Sequence, residues 1–239
     1  MPRQYHTLPL ALALLPTLCA HAADKRRPAP PVKPASEYLV FDAHPNEHVT
    51  VAADPCLDPK ACDFFRLPYI QHGFVPIRVI FSNDSDKPLT LDDVRIQFIS
   101  ANHDIIPAAT LEDINRRLFS TRSAMGTKVP LIPITIHHTP VDKKVTEDDA
   151  DFGFQTTTVN PHSNLAGYLF YDIRELEDPA LRHAELYLKQ IHTVDGKQQL
   201  FAFSIPFDKW LDAQPKDAPK VPQKSTTSPN APDTLPQPR

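Results

Sequence analysis

The chain has 239 residues, 27 of them proline and only five glycine, with a formal net charge of −4. No clustered basic face is visible, which argues against nucleic acid as a partner. So few glycines leave no Gly-rich phosphate loop, and prolines inside the body favour strands and turns over long helices.

Residues 1–22 read as a cleavable signal peptide. Arg3 supplies the positive start, residues 8–18 a short apolar run, and Ala20-His21-Ala22 the small residues a signal peptidase reads. The run is about half of the roughly 20 residues a membrane-spanning helix needs and carries Pro9 and Pro16, so no stable membrane span is expected. Cys19 follows Leu18 rather than a small residue, so it does not match a lipid-attachment pattern and leaves with the signal. The mature protein is therefore expected in the periplasm or the extracellular space. Losing the segment removes only Arg3 among the charges and leaves a net charge of −5.

Residues 23–36 form a Pro-rich basic linker, expected to be extended and mobile, and residues 37–212 are the folded body. Cys56 and Cys62 are the cysteines left in the mature chain, an even number in an oxidising compartment. A disulfide between them closes a seven-residue loop, a constraint of about 2 kcal/mol. A redox or metal pair is the alternative, but C-x-x-C spacing and a second ligand pair are both missing.

Period-two alternation dominates the body. Short strand candidates cover residues 38–42 and 48–53. Val75, Ile77, Val79 and Phe81 share one face, with Arg78 and Ser82 on the other. Val94, Ile96 and Phe98 alternate with Arg95 and Gln97. Residues 165–171 are apolar on both parities apart from Gly167, the pattern of a central strand. Phe201, Phe203, Ile205 and Phe207 alternate with Ala202 and Ser204. Turn chemistry separates these runs at residues 83–88, at residues 160–164 and at Asp195-Gly196, which marks a hairpin between residues 184–193 and 198–205.

One helix is expected over residues 111–119. Thr110 caps it, Asp113 stands where a capping box places Glu or Gln, and Leu111, Ile114 and Leu118 share a face. Residues 120–151 then form a long irregular insertion, apolar over 129–136 and acidic at its end. Residues 213–239 hold repeated prolines and read as a disordered tail. The fold class that follows is mainly β, an antiparallel sandwich with one short helix and a long irregular insertion.

The segments 75–83 (VPIRVIFSN), 86–89 (DKPL) and 159–172 (VNPHSNLAGYLFYD), with the hairpin running to Phe207, resemble the immunoglobulin-like domains of secreted bacterial proteins of unknown function. The resemblance implies an immunoglobulin-like fold and an extracytoplasmic setting. It implies no activity.

Candidate chemistry is sparse. His44 and His48, and the adjacent His137 and His138, are the metal candidates, because zinc and copper take converging imidazoles. Pro45 interrupts the first pair, and an extended chain points the second pair to opposite faces, so solvent-facing histidines are the simpler reading. Asp148, Asp149 and Asp151 lack the EF-hand pattern and read as a solvated acidic loop. Asn83-Asp84-Ser85 fits a glycosylation acceptor. Tyr168, Phe170 and Tyr187 form a sugar platform if their strand face is open, and otherwise pack in the core. No Gly-x-Ser-x-Gly elbow is present.

The expectation is an exported, non-enzymatic binding or cell-envelope module without a cofactor, whose partner is a protein or glycan of the envelope or extracellular space. The alternative is a secreted hydrolase or metal-dependent enzyme with its site near the 120–151 insertion.

Overall fold

The computed structural model describes residues 28, 30–118, 127–128, 135–136 and 140–215. The expected signal segment, residues 23–27 and 29 of the linker, His137, His138 and the tail beyond residue 215 lie outside the described residues.

In chain order the strands are β1 (Phe41–His44), β2 (Val49–Pro55), β3 (Phe74–Asn83), β4 (Leu89–Thr90), β5 (Arg95–Ile99), β6 (Ile105–Pro107), β7 (Thr127–Lys128), β8 (Thr135–Ile136), β9 (Thr158–Val159), β10 (Ser163–Asp172), β11 (Glu185–Lys189), β12 (His192–Thr193) and β13 (Phe203–Pro206). The helices are α1 (Leu111–Leu118), α2 (Val141–Phe152) and α3 (Asp208–Asp212). Eleven of the strands make three antiparallel sheets, ordered β1-β2-β3-β10, β13-β11-β5-β6 and β12-β4-β9, while β7 pairs with β8.

Alternation explains how the two four-stranded sheets meet. Val51, Val79 and Phe81 of the first and Phe98, Leu186, Leu188 and Ile205 of the second are all buried in one core. Burying each such side chain contributes roughly 1.5–3 kcal/mol. Tyr171 of β10 lies 5.8 Å from Phe98 of β5, and its hydroxyl donates to the Ile96 carbonyl. Gly167 is required where Phe154 wedges against β10, because a Cβ there would meet the Phe154 ring at 2.6 Å. At one margin of the fold the Ala109 N–H donates to the Phe170 carbonyl at 2.7 Å. At the other, Asp42 and Glu47 accept the outward N–H groups of Ser204 and Phe201, satisfying donors at an edge strand.

The outer face of the first sheet is covered. Residues 31–38 cross it, with Ala35 packed on Ala52 and Ile80 and its N–H donating to Ser82 Oγ at 2.7 Å. The disulfide loop Cys56–Cys62 leads into Phe64, Phe65 and Tyr69, which pack with Phe152 of α2 on Tyr168 and Phe170. Two carboxylate contacts fasten this cover. Asp148 of α2 accepts the Arg66 backbone N–H, the Arg66 guanidinium at 2.9 Å and the Tyr69 hydroxyl at 2.9 Å, and Glu147 pairs with Arg66 Nε at 2.9 Å.

Several expectations change. Arg78 and Ser82 face away from the core yet are buried, because residues 31–38 lie over them. The end of the Pro-rich linker is thus docked on the sheet. The 165–171 strand is at the end of its sheet, not in the middle; it reads as central because both its faces are covered. Phe201, expected on the inner face, is 79% exposed, since β13 begins only at Phe203. Among the described residues three α-helices stand where one was expected, and residues 141–152 of the supposed irregular insertion are one of them. Helix α1 starts as its sequence requires: Thr110 Oγ1 accepts the Asp113 N–H at 3.1 Å, and the Asp113 carboxylate accepts the Thr110 N–H in return. No described helix is long and apolar enough to cross a membrane.

Candidate functional site on the open face of the second sheet

His44 and His48 have different settings. The His44 ring stacks on Phe203 at 3.9 Å, with Nδ1 2.8 Å from Glu47 and Nε2 3.4 Å from Asp42. His48 sits in the following turn with φ of 55°. Among the described residues no three His, Cys, Asp or Glu side chains are grouped to hold a metal ion. The acidic run is not a solvated loop either: Asp148 is buried and bonded as described above. Burial pushes its carboxyl above the ordinary value, with the Arg66 and Tyr69 contacts pulling against that rise. Asn83 is fully buried, and its amide donates to the carbonyls of Lys87, Val159 and Asn160, so it is not presented as a glycan acceptor.

The three aromatics divide. Tyr168 and Phe170 are buried under the disulfide loop and α2, and burial pushes the Tyr168 hydroxyl up to about 12. Tyr187 lies on the outer face of the second sheet, half-buried, where the described residues supply no cover of that kind.

Two hollows lie elsewhere on the described residues. One, of about 350 Å³, is lined by Phe74, Arg116, Arg117 and Asp172, among others. Arg117 pairs there with Asp172 at 2.6 Å and lies 5.5 Å over the Phe74 ring, so its charge is already met. The other, of about 240 Å³, opens between the sheets beside Leu91, Ile96, Phe154 and Leu169 and is apolar. Neither gathers an acid and a base in the geometry that proton transfer needs.

The open face has a clear layout because register fixes which side chains meet. Tyr187 stands between Gln97 on β5 and Ser204 on β13. One row along, Lys189 stands directly opposite Arg95; one row the other way, Glu185 stands opposite Ile99. Ser204 Oγ donates to Glu185. The Lys189 ammonium lies 5.7 Å from the Tyr187 ring centre, a cation–π contact. Arg95, Gln97 and the Tyr187 hydroxyl have no hydrogen-bond or ion-pair partner among the described residues. The sequence marked Arg95 and Gln97 as outward-facing, but nothing in it placed Lys189 across from Arg95. That depends on register between strands about 90 residues apart in the chain.

No family model, curated protein or solved structure matches the chain.

Proposed function

We propose that the chain is an exported, non-enzymatic binding module with an immunoglobulin-like sandwich fold. It works in the periplasm or outside the cell and engages its partner through the outer face of the second sheet. The single observation behind this reading is the asymmetry of the two sheets. In the first, strand β3 is buried along its whole length, on both faces, whereas the second presents Tyr187 with Gln97 and Arg95 beside it, both without a side-chain partner among the described residues. Free polar groups around an amphipathic ring suit recognition, and the pairing of His44 with Glu47 suits an edge contact more than catalysis. The signal segment supports export. The test is to express the full chain and read the N-terminus of the exported product, expected at Ala23. That product is then measured against envelope glycans with and without Tyr187→Ala. Loss of about tenfold or more in affinity, the worth of one stacked or anchoring aromatic, supports the reading. Retention of the signal segment, or unchanged binding in the variant, overturns it.

A further inference from the structure

We infer that the open face of the second sheet binds an acidic polysaccharide, with the cross-strand pair Arg95 and Lys189 holding its carboxylates. The inference rests on the binding-face reading above and names its ligand class.

Like charges directly opposite one another across antiparallel strands destabilise a sheet. Lys189 and Arg95 are such a pair, in a chain whose net charge is negative. No carboxylate of the described residues neutralises either one. The acid on this face, Glu185, is four residues from Lys189 along β11 and is engaged by Ser204. Neighbouring strands are about 4.8 Å apart, so the two long side chains start from adjacent positions and can reach one anionic group. The Arg95 guanidinium offers the planar fork that binds carboxylate through two hydrogen bonds.

The surroundings narrow the class of anion. The Tyr187 ring, in contact with the Lys189 ammonium, gives a flat apolar surface beside the charge, and Gln97 adds a free amide donor and acceptor. A sugar ring carrying a carboxylate meets all three features at once. A nucleic acid needs a larger set of cations along its backbone. Tyrosine and arginine are common in protein interfaces, but lysine is depleted there, so Lys189 on this face favours the acidic glycan over a protein partner.

The mature exported chain should bind polygalacturonate and not neutral dextran, with affinity falling as salt is raised. Arg95→Glu should cut that affinity about tenfold or more, the loss of one charge-assisted contact. The same substitution turns cross-strand repulsion into attraction, so the variant's Tm should equal or exceed that of the parent. A reading of Arg95 as a structural residue does not predict that combination. Lys189→Glu should behave likewise. Equal binding to dextran, no binding to polygalacturonate, capture only by phosphatidylglycerol vesicles, or a lower Tm for Arg95→Glu would each overturn the inference. If dextran binds and Tyr187→Ala abolishes it, the binding face survives and only the acidic ligand falls. If Tyr187→Ala changes nothing, the binding face itself falls.

Discussion

Histidine does backbone work in this chain. Among the described residues, His48, His103, His162 and His183 all have positive φ, and the one other non-glycine residue that does is Gln190. Left-handed backbone crowds a Cβ against the following carbonyl, and glycine usually takes such positions. With five glycines in the whole chain, turns here fall to histidines, several held by local partners. The His103 N–H donates to the Ser100 carbonyl at 2.9 Å, and the His162 ring reaches Asp86 at 3.0 Å. His103→Gly should therefore raise stability by roughly 0.5–1 kcal/mol, while His103→Val should lower it. Urea unfolding midpoints at constant slope will show either effect. Of these four, the sequence marked His48 alone, and as a metal candidate. Their turn role was not legible, because left-handed backbone leaves no periodic mark.

Helices α1 and α2 differ in how they announce themselves. Helix α1 carries a cap at Thr110 and buries Ile114 and Leu118 on one face, so pattern alone located it. Helix α2 buries Val145 and a carboxylate, Asp148. An acid facing inward looks like a solvated loop to any hydrophobic count, which is why residues 141–152 read as irregular. Its packing is legible only once Arg66 and Tyr69, about 80 residues earlier, are brought to it. Asp148→Ala should cost roughly 3 kcal/mol, because it strands the buried Tyr69 hydroxyl and the Arg66 backbone N–H without an acceptor and removes one of the carboxylates around the Arg66 guanidinium. Hydrogen exchange should locate the loss, with faster exchange across residues 141–152 and 62–72 and little change in β11. Uniform acceleration over the whole molecule would mean that the clamp is not local to this cover.

At the scale of the molecule, alternation was enough to give a mainly antiparallel β fold. It could not give which sheet face lies bare, since Arg78 and Arg95 occupy equivalent outward positions in their strands. What separates them is a strap of residues 31–38 and a neighbouring acid. Arg78 stands opposite Asp54 in the register of β2 and β3, and its guanidinium reaches the Pro31 carbonyl. Burial raises the Asp54 carboxyl above its ordinary 3.8, while a hydrogen bond from Trp210 and the charge of Arg78 pull it back by less. The folded chain thus holds that proton more tightly than the unfolded chain. In the window above 3.8, up to the raised value, the contribution of Asp54 to stability falls as pH rises. Asp113, Asp195 and Asp208 act in the opposite sense: hydrogen bonds from Thr110, Thr193 and the His183 backbone lower their carboxyls, so their support is lost on acidification. A wild-type stability curve mixes the two groups, but its difference from Asp54→Asn isolates one. The advantage of the wild type over Asp54→Asn should shrink as pH rises from about 4 to about 6, the range just above ordinary carboxyl titration. An advantage that grows over that range would show that the Arg78 pairing outweighs burial beneath the strap.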